Sequence, residues 1–192
     1  MYEIHGEEKR TVVAFDRIPD LIKQATIVAE DAEFYTHSGI NFRGISRAFV
    51  NDFLNQKLVE GGSSITQQLI KNAYLTREKT FSRKIKEAIL AVEMERKYSK
   101  NEILNFYLNQ ISYGSNSYGI EAASLSYFGK HVWELNATEA AYLAALPKAP
   151  SYYSPYGPHA DELKTRAGYI LNRMRDYKYI SDHDYEAAKK ET

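Results

Sequence analysis

Gly61-Gly62-Ser63-Ser64-Ile65-Thr66-Gln67-Gln68-Leu69-Ile70-Lys71-Asn72 is the stretch on which the reading of this chain turns. The glycine pair interrupts the apolar pattern before it. Ser63-Ser64 followed by Ile65, Leu69 and Ile70 then reads as a capped helix start with polar side chains crowded into its first turns. A helix N-terminus behind glycines is a ready anion site. The glycines let a ligand approach the backbone, and the hydroxyls and amides offer neutral hydrogen bonds. Lys71 follows Gln68 and Gln67 at helical spacings of three and four, so the stretch suits a sugar phosphate. The Gly-Lys-Ser/Thr ending of a nucleotide P-loop is missing, which argues against ATP or GTP. An ordinary glycine turn and capped helix explains the Gly and Ser but leaves Thr66-Gln67-Gln68 unexplained.

On its N-terminal side, residues 43 to 58 place Ile45, Phe49, Val50, Phe53, Leu54 and Leu58 at helical spacing, with Arg43 and Arg47 on another side. Further upstream, Pro19 opens an apolar helix through Leu21, Ile22, Ala25, Ile27, Val28 and Ala29 that ends near Glu30 and Asp31. The first 14 residues alternate around Gly6 as a short hairpin or an extended lead-in. On the C-terminal side, residues 75 to 81 read as a mobile loop, and Ser82 caps a long helix whose apolar face is Ile85, Ala88, Ile89 and Val92. Ser99-Lys100-Asn101-Glu102 is a capping box opening a helix with Ile103, Leu104, Phe106, Tyr107 and Leu108. Gly114 and Gly119 bracket a turn before a helix from Glu121 to Phe128, and Thr138 opens an Ala-rich helix stopped by Pro147. Residues 161 to 177 and 182 to 190 read as two closing helices. There is no repeat and no linker, so the expectation is one mainly α domain over residues 1–192.

Composition agrees. The 192 residues, 44% hydrophobic and 26% charged, are enough for a domain that buries roughly 70% of its unfolded surface. Twenty-five basic against 25 acidic residues cancel, so no global field draws the chain to nucleic acid, and any anion site must be local. With no cysteine, thiol catalysis and thiolate metal sites are excluded. The longest apolar run, Ala140 to Leu146, is far short of the roughly 20 residues of a spanning helix.

Two further constellations flank the opening stretch. Glu30-Asp31-Ala32-Glu33-Phe34-Tyr35-Thr36-His37-Ser38-Gly39 puts carboxylates at the end of an apolar helix beside aromatics and a His, where desolvation tunes an acid or base; solvated helix-end charges are the plainer alternative. Between residues 71 and 86 stand six basic residues and one acidic, Glu78, and Lys84 and Glu87 lie at i, i+3 on one side of a helix. A diphosphate would be well neutralised there.

Taken in order, these segments resemble the peptidoglycan glycosyltransferase domain, glycosyltransferase family 51, of class A penicillin-binding proteins and monofunctional transglycosylases. The matching residues are Glu30-Asp31-x-x-Phe34-x-x-His37-x-Gly39, the Gly61 to Asn72 stretch, and Arg83-Lys84-x-x-Glu87. Tyr113-Gly114 with Tyr118 to Ala123 and Tyr127 to Lys130 look like a fourth family motif, and Leu143 to Pro150 with Tyr153-Ser154-Pro155 like a fifth.

The resemblance implies a lysozyme-like helical lobe with a smaller, membrane-facing hydrophobic jaw, to which the stripe around Phe49 and Phe53 would belong unless it is buried core. It implies polymerisation of lipid II with inversion at the anomeric carbon. Glu30 would be the general base on the acceptor 4-hydroxyl, and Lys71, Arg83 and Lys84 would stabilise the departing diphosphate. Glu87 is the second essential carboxylate, either orienting Lys84 or helping to coordinate a divalent cation, Mg2+ or Mn2+, which is left open. Substrate-binding positions carried over are Asp31, Phe34, His37, Ser63, Ser64, Thr66, Gln67, Gln68, Lys71, Asn72, Arg83 and Lys84, with Asp31 and His37 also expected to hold the Glu30 loop. The implied partners are lipid II, the growing glycan strand and the membrane surface, with no nucleic acid. The expected parent is a tethered protein at the extracytoplasmic face of the bacterial inner membrane, linked to a transpeptidase domain and the cell-wall machinery. The chain itself lacks the Ser-x-x-Lys and Lys-Thr-Gly elements of transpeptidation.

Two other readings compete. A lysozyme or lytic transglycosylase also uses a Glu at a helix end, as an acid that cleaves glycan, but has no need of cations for a diphosphate. A non-catalytic anion-binding module would use the same basic cleft and leave Glu30 dispensable.

Overall fold

A computed structural model of the chain describes residues 9–42, 62–74 and 80–191. Its described helices are α1 (Asp20–Glu30), α2 (Ile65–Tyr74), α3 (Phe81–Lys97), α4 (Lys100–Gln110), α5 (Ile120–Phe128), α6 (Ala137–Ala145), α7 (Ala160–Asp176) and α8 (Asp182–Glu191). Two strands, β1 (Lys9–Arg10) and β2 (Ser117–Tyr118), pair in parallel with Lys9 opposite Ser117. The predicted helix over 43 to 58 and most of the predicted loop over 75 to 81 lie outside the described residues. No described helix is long and apolar enough to cross a membrane. The chain divides into two compact units, Met1–Thr26 with Leu108–Thr192, and Ile27–Tyr107.

In the first unit Lys9–Arg10 finds its partner across more than a hundred residues, while residues 1–8, with the Gly6 of the expected hairpin or lead-in, lie outside the described residues. Asn109 holds the chain beyond the strand. Its side-chain amide accepts from Val13 N at 2.8 Å and donates to Val13 O at 3.0 Å, supplying the ladder bonds that a neighbouring strand would otherwise make. The small residues of α6 allow α7 close, so Ala140, Ala141, Ala144 and Ala145 are buried with Leu163, Ala167, Ile170, Leu171 and Met174. The cap of α6 differs from the sequence expectation. Asn136, not Thr138, is the N-cap, in a capping box with Glu139, while Thr138 sits in the first turn and donates to Ala188 O at 3.1 Å. Pro147 follows in a short 3-10 turn, Leu146–Lys148.

In the second unit the core gathers Val28, Phe34, Ile65, Leu69, Ile70, Ala91, Ile103, Leu104 and Tyr107. The expected capping box at Ser99 is present, with Ser99 N donating to Glu102 Oε2 at 2.8 Å. Helix α3 departs from expectation twice. Its N-cap is Thr80 rather than Ser82, because the Thr80 hydroxyl accepts from Arg83 N. Its buried residues are Glu87 and Ala91, whereas the predicted core residues Ile85 and Ile89 are 47% and 58% exposed, and Phe81 is 83% exposed. The helix is turned so that a polar cluster faces inward and an apolar stripe faces out. Periodicity detects an apolar stripe; it does not say which side is wet.

Candidate active site

Glu30 ends α1, and the next residue anchors the loop that follows. Asp31, only 5% exposed, accepts from Asn41 Nδ2 at 2.9 Å through one oxygen; through the other it meets His37 Nε2 at 2.7 Å and accepts from Ile65 N at 3.2 Å. Ile65 N is one of the donors that the first turn of α2 cannot satisfy within the helix. Asp31 therefore ties the end of α1, the 37–41 loop and the start of α2 into one corner. Phe34 is fully buried beneath Lys100, whose Nζ stands 4.4 Å from the ring centroid. Gly39 has φ +89°, and a Cβ there would meet the Ala91 carbonyl at 2.9 Å, so only glycine lets the loop lie against α3.

The Thr-Gln-Gln run left unexplained by the sequence has a structural account. Ser64 and Gln67 form a reciprocal capping box, Gln67 N donating to Ser64 Oγ and Ser64 N to Gln67 Oε1, both at 3.1 Å. Ser64 Oγ itself donates to Gly39 O at 2.5 Å. Thr66, wholly buried, donates to Glu95 Oε1 at 2.5 Å, and Glu95 pairs with Lys100. Ser64, Thr66 and Gln67 thus have their polar atoms turned to protein, as does Asp31, while Phe34 is packed into the core. Gln68 is half-buried and reaches the helix end: Nε2 donates to Glu30 Oε2 at 2.8 Å and to Ser63 O at 3.4 Å, and Oε1 accepts from Tyr107 OH at 3.1 Å.

The first turns of α3 bring the cations. Arg83 Nη1 donates to Glu87 Oε2 at 3.1 Å, and Lys84 Nζ donates both to Glu87 Oε1 and to Ser63 Oγ, the latter at 2.8 Å. The Glu87 side chain is 1% exposed while that of Lys84 is 45% exposed, so a buried carboxylate holds a cation whose far side meets solvent. Arg83 Nε is buried with no acceptor among the described residues. Lys71 and Asn72 are exposed in the last turns of α2. Ser63 is the junction: its carbonyl takes the amide that holds Glu30, and its hydroxyl takes the ammonium that Glu87 holds.

Both Glu87 oxygens face cationic side chains, and no three of His, Cys, Asp or Glu gather to hold a metal ion among the described residues. In the first unit, a cavity of about 940 Å3 between Leu21, Asn136, Thr138, Tyr179 and Glu191 contains none of the expected site residues. Tyr107, Glu95, Asn41 and Lys100 are working parts of the corner that the sequence reading missed. In the sequence Tyr107 and Lys100 stand simply as parts of a helix, yet a buried phenol nearly always needs a polar partner, and Ser64-x-x-Gln67 is itself a capping-box signature.

Known proteins place this chain in a family. Residues 1–175 match the family described as Transglycosylase. Penicillin-binding protein 1A of Aquifex aeolicus is 48% identical over 188 residues, covering 98% of this chain and 26% of the relative. Penicillin-binding protein 1F of Bacillus subtilis is 48% identical over 185 residues, covering 96% and 26%. The chain thus spans about a quarter of the length of these curated relatives. Among solved structures, the crystal structure of penicillin-binding protein 1A from Haemophilus influenzae is similar with a TM-score of 0.59 and 28% identity, over 97% of this chain and 18% of that one, in keeping with the mainly helical, lysozyme-like fold expected from the motifs. Matched along most of its length and nearly half identical to these relatives, the chain belongs to the transglycosylase family of peptidoglycan glycosyltransferases.

Proposed function

We propose that this chain, acting as a single glycosyltransferase domain over residues 1–192, polymerises lipid II into glycan strands by direct, inverting transfer. The observation that carries this reading is the Ser63 junction, whose carbonyl takes the Gln68 amide that holds the Glu30 carboxylate and whose hydroxyl takes the Lys84 ammonium. A sugar 4-hydroxyl is far too weak an acid to ionise near neutral pH, so Glu30 takes its proton as the oxygen attacks the anomeric carbon. The new glycosidic bond forms as the bond to the polyprenyl diphosphate breaks from the opposite face. The leaving group departs as an anion and needs no proton, because Lys84, Arg83 and Lys71 stabilise the charge that develops on it. Arg83 supports this role with a buried N–H that an anion's oxygen would satisfy. Glu87 orients both guanidinium and ammonium, and no step is routed through a metal.

The outward apolar stripe of Phe81, Ile85 and Ile89 supports work at a lipid surface, where the substrate's polyprenyl chain resides. The native setting follows as part of the same proposal: the extracytoplasmic face of the inner membrane, in a parent that also carries a transpeptidase domain. Purified protein given lipid II in detergent is expected to yield polymer and free polyprenyl diphosphate. Glu30→Gln should lower kcat by roughly a thousandfold, within the range of general-base catalysis, while sparing binding. A wild-type rate in that variant refutes the base assignment. Shortening of preformed glycan by the wild type favours the lytic reading, against which the Arg83, Lys84 and Ser63 cluster now stands as machinery without a task.

A further inference from the structure

Two consecutive hydrogen bonds lead away from Glu30 into α4. Gln68 Nε2 donates to Glu30 Oε2, and Tyr107 OH donates to Gln68 Oε1 at 3.1 Å. Tyr107 is fully buried, so its hydroxyl was removed from water to make such bonds. An ionised carboxylate only accepts, which forces Gln68 to turn its NH2 toward Glu30 and its carbonyl oxygen away. Half a turn of the amide would set oxygen against oxygen at Glu30, so the carboxylate selects the orientation, and the phenol, donating to the far oxygen, holds the amide in it.

We propose that Tyr107 is a positioning residue for the transfer reaction: by holding Gln68 Oε1 it locks the amide, and the locked amide pins one oxygen of Glu30 and so sets the direction in which that carboxylate meets the acceptor hydroxyl. This inference rests on the role proposed for Glu30. The other bonds of the corner, from Asp31 to Ile65 and from Ser64 to Gly39, do not involve Tyr107.

The test is steady-state kinetics on lipid II with Tyr107→Phe, which keeps the ring and removes the hydroxyl. The expected result is a kcat lower by roughly ten- to a hundredfold, the scale of a misplacement near 1 Å, with KM essentially unchanged. An unfolded fraction would itself lower apparent kcat at constant KM, so the rate is taken per folded enzyme, with the folded fraction measured by circular dichroism; a merely structural role would leave that corrected kcat unchanged. Gln68→Leu should lower kcat at least as far, and adding Tyr107→Phe to it should change nothing more, because both substitutions cut one chain. If Tyr107→Phe fails to fold, the comparison of Gln68→Leu with Gln68→Leu/Tyr107→Phe decides, since no amide is then left unpaired. A wild-type kcat in Tyr107→Phe, or losses that multiply in the double variant, overturns the proposal while an inactive Glu30→Gln leaves the base assignment standing. A fully active Glu30→Gln overturns both.

Discussion

Replacing Glu87 by Gln keeps the shape of the side chain and removes the charge on which Arg83 and Lys84 converge. The Glu87 side chain is 1% exposed, that of Arg83 16% and that of Lys84 45%. The two pairs are therefore unequal. Breaking a buried ion pair by deleting one partner costs about 3–5 kcal/mol, because the other charge is left desolvated. An exposed pair contributes no more than about 1 kcal/mol. Arg83 lies toward the buried limit and Lys84 toward the exposed one, so a loss of about 3 kcal/mol is expected from the Arg83 arm, with little added by Lys84. For a chain of this size that corresponds to a melting temperature lower by roughly 6–12 °C. Thermal unfolding followed by circular dichroism is the assay, run beside lipid II turnover. Replacing Glu87 and Arg83 together, as Glu87→Leu with Arg83→Met, should recover most of the stability, because the one cation left, Lys84, is 45% exposed and solvated, yet leave the enzyme inactive, because the Arg83 guanidinium is gone. A Glu87→Gln protein that melts within a degree of wild type would refute the view that this carboxylate holds the cations in place.

Gly39→Ala should lower stability by about 2 kcal/mol or more, from the left-handed backbone alone, and also lower turnover. The added Cβ falls 2.9 Å from the Ala91 carbonyl, and Gly39 O receives Ser64 Oγ; unchanged melting and kcat would show that the loop relaxes without disturbing α2. Glu102 is held below the usual carboxylate range, chiefly by the Ser99 hydroxyl and then by Ser99 N. A depressed carboxylate stabilises above its unfolded pKa and loses that contribution as pH falls through the folded value. Glu102→Gln should accordingly melt below wild type at pH 7, and the two curves should converge in acid. A gap that persists unchanged at low pH would contradict the assignment.

The helices were legible where local chemistry decides them: α4 with its Ser99 box, α1 ending at Glu30, and α2 behind its glycines all stand where pattern and caps put them. The caps missed, Thr80 and Asn136, each lie two residues before a residue equally able to cap. Among the expected binding residues, sequence reasoning grouped Ser64, Thr66 and Gln67 with Gln68 as one polar surface. The fold separates them, turning the first three onto Gly39, Glu95 and the helix's own backbone and leaving Gln68 to reach Glu30.

Taken alone, the amino-acid order determined the mainly helical class, the family and the ordered placement of two carboxylates around a basic stretch, because helix periods, caps and motif spacings are local properties of the chain. Tertiary structure alone decided which of those polar groups face one another. Asp31 finds Ile65 N 34 residues away, Gln68 finds Tyr107 39 residues away, and α3 buries Glu87 while turning Ile85 and Ile89 outward. Burial and hydrogen-bond partnership are set by whatever segment happens to pack opposite, and a one-dimensional pattern carries no record of what lies across the gap.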